Sequence, residues 1–128
     1  MDKIIKVFIS QPMANRSEEE IQNERLEVLN KLKKDLKTED IAIIDSYFEE
    51  DEPKSTIHKG VYHLSKSLEL LSTADVAYFC KGWQHARGCL IEKEVCQAYN
   101  IVTYIDYSHT DILRKYFINN EKEGDLND

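Results

Sequence analysis

The stretch Ile4-Ile5-Lys6-Val7-Phe8-Ile9-Ser10-Gln11-Pro12-Met13-Ala14-Asn15-Arg16-Ser17-Glu18-Glu19-Glu20-Ile21 changes its hydrophobic period halfway along. Ile4–Ile9 is a short apolar, β-branched run of the kind that forms a buried strand. Ser10–Arg16 reads as a loop. Ser17 then stands three residues before Glu20, a capping-box pattern, and Glu18 and Glu19 suit the positive end of a helix dipole. Ile21, Val28, Leu29, Leu32 and Leu36 mark one helical face as far as about Lys37. A strand, a loop and a helix in that order open a βαβ unit.

The alternation continues outward from this opening. Ile41–Ile44 is a second strand ending at Asp45, and Ser46–Lys59, polar, acidic and containing Pro53, is a long loop. Val61, Leu64, Leu68 and Leu71 give a second helix ending near Thr73. Asp75 opens a third strand, Val76–Cys80; after the loop Lys81–His85, Ala86–Tyr99 is a third helix with Ile91, Val95 and Ala98 on its apolar face. Asn100 is a left-handed helix stop, Ile101–Ile105 a fourth strand, and Asp111–Phe117 a short final helix. Strands alternating with helices imply right-handed crossovers and a parallel sheet. The expected fold is therefore α/β, a three-layer flavodoxin-like or Rossmann-like sheet of four or five strands, order 2-1-3-4, with helices on both faces. Residues 1–118 would form this single domain and 119–128 an acidic, disordered tail.

A chain of 128 residues, 41% hydrophobic, has material for one core and not two. Its net charge of −7 is carried by two segments: Asp45–Lys54 holds five acids against one lysine, and Asn119–Asp128 four against one. The neutral remainder is a poor footprint for polymeric nucleic acid. The longest apolar run, Val76–Cys80, is too short for a bilayer span, and Met1–Lys6 shows no signal-peptide core. Three cysteines, an odd number, suit a reduced cytoplasmic chain. Cys80, Cys89, Cys96 and His85 lack metal-ligand spacing, so neither metal nor cofactor is expected.

In a doubly wound sheet, ligands bind beyond the carboxyl ends of the strands where strand order reverses. That rule selects Ser10–Arg16 and Lys81–Arg87. Neither carries a dinucleotide or P-loop fingerprint. Ser10, Gln11, Asn15 and Arg16 supply hydroxyl, amide and guanidinium donors suited to a sugar or phosphate, or to bonding their own loop. In the second loop Gly82 and Gly88 permit close approach of a ligand, and Arg87 can clamp an anion or pair on the surface. Trp83 can stack on a base, cover a pocket or fill core. With Leu90 at zero and about 100° per residue, Glu92 falls at about 200°, bordering an apolar sector at about 80–140°. An acid there, one turn into the helix, can serve as nucleophile or base, or pair with a neighbouring cation. Glu94, at about 40°, is the weaker candidate.

Val7-Phe8-Ile9-Ser10-Gln11-Pro12-Met13, the pair Ala74-Asp75, and Ala86-Arg87-Gly88-Cys89-Leu90-Ile91-Glu92 followed by Ala98-Tyr99-Asn100-Ile101 resemble the nucleoside 2-deoxyribosyltransferase-like superfamily. The similarity is closest to its small, poorly characterised bacterial and phage branch, and it spans about Lys3–Ile105. The resemblance implies cleavage of an N-glycosidic bond of a nucleoside or nucleotide. Glu92 would attack C1′ of the sugar as nucleophile, and the ribosyl group would pass to another base or to water. It implies a substrate-binding set of Ser10, Gln11, Pro12, Met13, Arg16, Asp45, Tyr47, Ser67, Gly82, Trp83, Arg87 and Gly88. Within it the first loop holds the sugar, Trp83 and Tyr47 contact the base, and Arg87 contacts a 5′-phosphate. It also implies a homo-oligomer, with Tyr116 and Phe117 available for an interface. Two positions depart from the family pattern. Ser67, eight residues ahead of Asp75, replaces an aspartate, and Ala86 stands about where a loop acid is usual. Those departures leave a second reading open, a non-catalytic module that binds a nucleotide or nucleotide-derived signal.

Overall fold

In the computed structural model the described residues are 3–45 and 52–106. Tyr47, the expected final helix with Tyr116 and Phe117, and the acidic tail lie outside them. The elements run β1 (Ile5–Ser10), α1 (Glu18–Leu36), β2 (Ile41–Ile43), α2 (Lys59–Leu71), β3 (Val76–Phe79), α3 (Arg87–Ala98) and β4 (Val102–Ile105). A single 3-10 turn, Trp83–His85, interrupts the loop before α3. The four strands form one parallel sheet in the order β2-β1-β3-β4, so the fold is the Rossmann-like α/β arrangement expected.

Strand alternation assigns each side chain of the sheet to a layer. Val7 and Ile9 of β1 and Tyr78 of β3 pack with Val28 and Leu32 of α1. Phe8 of β1 and Ala77 and Phe79 of β3 point the other way and pack with Leu71 and Cys96, under α2 and α3. Burial of each such large side chain stabilises the fold by about 1.5–3 kcal/mol. By the same parity Ser10, two residues beyond Phe8, belongs to the α2–α3 face, and it is paired with Phe79 in register. Asp75 ties the start of β3 to β1, accepting from the Lys6 backbone N–H at 2.9 Å and from Lys3 Nζ at 2.7 Å.

The helix boundaries follow local chemistry. Both halves of the capping box form at Ser17 and Glu20, and Lys37 ends α1 in the left-handed conformation. Asn100 is also left-handed, with φ 58°, and ends α3. The apolar face expected for α3 needs correction. Ile91 and Ala98 are exposed, and the helix buries Cys89, Glu92 and Cys96 instead. Small thiols let the helix lie close to Phe8, Ala77 and Phe79, and this rotates the larger Leu90 and Ile91 outward.

Candidate functional site

Glu92 is brought to the sheet by its position on that buried face, three residues after Cys89 and four before Cys96. Only 6% of its surface is accessible. Ser10 Oγ donates a hydrogen bond to Glu92 Oε1 at 2.6 Å, the length of a charge-assisted O–H···O bond. No described residue is bonded to Oε2. Burial pushes the Glu92 carboxyl up to about 7, because removal from water penalises the anion; the Ser10 bond opposes that effect in part. The group is thus near half-ionised at neutral pH, the range in which a carboxylate can act as nucleophile or transfer a proton.

A cavity of about 250 Å³ opens beside it. Its wall is built from Gln11, Pro12 and Met13 of the loop after β1, Gly60, His63, Leu64 and Ser67 of α2, and Gly88, Cys89 and Glu92 of α3. The α2 positions follow helical spacing, so they present one stripe to α3. A second hollow of about 340 Å³ adjoins it through Gly60, Leu64 and Gly88, and adds His58, Val61, Arg87 and Ile91. Together they lie at the carboxyl end of β1, where strand order reverses. Burial raises the Cys89 thiol to about 11, so it is protonated and not a thiolate at neutral pH.

The structure gathers Pro12, Met13, Ser67, Gly88 and Glu92 in this cavity's wall, with Arg87 in the adjoining hollow; Ser10, expected among the substrate-binding residues, is buried and outside the wall, its hydroxyl spent on Glu92. Gln11 also lines it, but its amide is engaged inside the protein. Its Nε2 donates to the Ile21 carbonyl at 3.0 Å and to Glu24 Oε1 at 2.8 Å, while its Oε1 accepts from Arg25 Nε at 2.8 Å. Arg16 is held in the same way, donating to the Pro12 carbonyl at 2.9 Å and to Glu24 at 2.8 Å. Asp45 lies elsewhere, beside Gln22, Arg25 and Ile43 in a separate hollow. Trp83 is not in the wall. Its ring meets Phe79 edge-on at 5.7 Å, with Lys93 Nζ 6.0 Å from the ring centre. Gly82 adopts φ 86°, which only glycine accepts readily, and faces Pro12.

Two groups that sequence reasoning passed over matter here. His63 stands in the cavity wall four residues before Ser67, and Nε2 of its ring is 3.3 Å from Glu52 Oε2. Glu52 is also 3.2 Å from Lys59 Nζ. The Glu52 backbone N–H, Lys59 and His63 hold that carboxyl below its ordinary range. The spacing Gly60-His63-Ser67 on one helix was the available signal. Arg25, buried on α1 in the stripe Ile21-Arg25-Val28-Leu32, was the other. A cation on an apolar face needs partners, and Gln11 is one of them.

Among the described residues no cluster of histidine, cysteine, aspartate and glutamate is arranged to hold a metal ion, and no helix is long and apolar enough to cross a membrane. The fold and site define a parallel α/β protein with a buried acid at its switch-point crevice. Comparison with protein-family models, curated proteins and solved structures returns no match.

Proposed function

We propose that this protein cleaves the N-glycosidic bond of a nucleoside or nucleotide, with Glu92 as the nucleophile at C1′ of the sugar. The observation that carries this reading is the Glu92 carboxylate itself, buried at a cavity wall with one oxygen fixed by Ser10 and the other unbonded by any described residue. Attack by that oxygen forms a ribosyl ester and releases the base. Water or a second base then takes the sugar, with net retention of configuration. Ser10 holds the carboxylate against rotation, and Pro12, Met13 and Gly88 shape the space the sugar fills. Arg87 in the adjoining hollow is placed to meet an anionic group on the ligand.

The test is incubation with a panel of nucleosides and nucleotides, followed by chromatographic detection of free base. Wild-type protein releases base from at least one member, and Glu92→Gln releases none. Unchanged release by the variant removes Glu92 from the mechanism.

One observation favours a second reading. Glu92 is the only carboxylate among the described residues lining the cavity; Ser67 and Ala86 stand where the resembled family carries acids. A binding module would hold a nucleotide or a nucleotide-derived signal there without turnover. Nucleotides that raise the melting temperature yet remain intact over hours would support that reading.

A further inference from the structure

Glycosidic cleavage needs two functions, attack on the sugar and a proton for the departing base. Glu92 can supply the first. It cannot supply the second in the same step, because the nucleophile must be the anion. A proton for the base must therefore come from another side chain of the cavity wall. Ser67 has an aliphatic hydroxyl, a poor acid, and the Cys89 thiol is buried and raised to about 11. His63 remains. It lies on the same α2 stripe as Ser67, one turn nearer the helix start, so it faces the α3 wall that carries Glu92. Its ring is 3.3 Å from the Glu52 carboxylate, a partner that can take one ring N–H and orient the imidazole. Lys59 fixes Glu52 in turn at 3.2 Å.

We propose that His63, oriented by Glu52, is the acid that protonates the leaving base in the cavity where Glu92 attacks the sugar. This assignment rests on the glycosidase reading above and completes it. In the first step a Glu92 carboxylate oxygen forms a bond to C1′ while the C1′–N bond breaks. The bonding pair passes to the base nitrogen, and an imidazolium N–H of His63 gives the base its proton. The neutral imidazole then takes a proton from the water that attacks C1′. The ester breaks, Glu92 returns as carboxylate, and His63 is again protonated. The sum is nucleoside plus water giving free base plus sugar. His63 is a catalytic residue in this scheme, and Glu52 is a positioning residue.

The experiment compares two leaving groups. A nucleoside base needs protonation to depart, whereas 4-nitrophenolate from a 4-nitrophenyl riboside departs as an anion. Wild type, His63→Gln, Glu52→Gln and Glu92→Gln are assayed on both. His63→Gln is expected to lower kcat/KM for base release about 100-fold or more, the usual worth of general-acid catalysis, while kcat/KM for nitrophenolate release, which ends at departure of the phenolate and so precedes the water step, changes little. Glu52→Gln is expected to show the same split at smaller amplitude. Glu92→Gln is expected to lose both. An equal loss on both substrates in His63→Gln, or no loss on either, overturns the assignment of His63 while wild-type turnover and the Glu92→Gln result keep the glycosidase reading. Base release that survives in Glu92→Gln overturns that reading itself, and with it the role given to His63.

Discussion

Glu92→Gln has a consequence for stability that can be measured without any substrate. In the folded protein the Glu92 carboxyl titrates at about 7, against 4.5 for the ordinary side chain. A raised acid binds its proton more tightly in the native state, so stability falls as pH rises from the unfolded value towards the folded one. Below about pH 4.5 both states are protonated and the penalty vanishes. Above about pH 7 both are ionised and it is complete, at about 3 kcal/mol. Between pH 5 and pH 8 the wild type should therefore lose about 2.5 kcal/mol that Glu92→Gln keeps, since an amide can accept the Ser10 bond without charge. Urea denaturation of both proteins at the two pH values gives the double difference. Every other contribution to the pH dependence is common to both proteins and cancels. A wild-type-minus-variant difference that stays constant from pH 5 to pH 8 would show that Glu92 is not desolvated, and the account of the site would fail with it.

Further tests address the surrounding parts. On 4-nitrophenyl riboside, whose leaving group needs no proton, ionisation of Glu92 makes kcat/KM rise with pH through about 7, and a rate independent of pH from 5 to 8 excludes the carboxylate as nucleophile. Ser10→Ala removes the bond that favours the anion, so the titration of Glu92, followed by carboxyl carbon NMR, should move to higher pH. Ser17→Ala removes the Oγ that accepts from the Glu20 backbone N–H, one half of the α1 capping box, and should cost about 1 kcal/mol in urea denaturation. Gly82→Ala meets Pro12 at an ordinary 3.6 Å, so its cost is conformational; about 1–2 kcal/mol is expected from the left-handed backbone, read as a lower melting temperature.

The sheet order was legible because the decisive signals are local and repeat along the chain. The β-branched run before Ser10, the Ser17/Glu20 box and the Asn100 stop each translate into backbone geometry with little help from the rest of the fold. The orientation of α3 was harder to read. A wheel weighted by hydropathy put Ile91 and Ala98 inwards, whereas the close approach of helix to sheet selects small Cys89 and Cys96 and leaves Ile91 43% exposed. Glu92 was still singled out, since the rotation between the two faces carried it further in. Gln11 and Arg16 illustrate the opposite limit. Their donors read as ligand groups, but Glu24, thirteen and eight residues later, accepts from both, and only the fold shows that acid turned back onto the loop. His63 was missed because its significance depends on which side of α2 faces α3.

The double grip of Gln11 and Arg16 on Glu24 gives the crevice unequal sides. The β1 side is an anvil: its loop is riveted to a nineteen-residue helix on the far layer of the sheet and cannot yield without breaking that joint. The α2 side is the jaw, beginning at His58 with no side-chain cap and no acid in its first turn. A guest larger than the present hollow would be accommodated by displacement at Gly60, and the acid on α3 would keep its aim throughout.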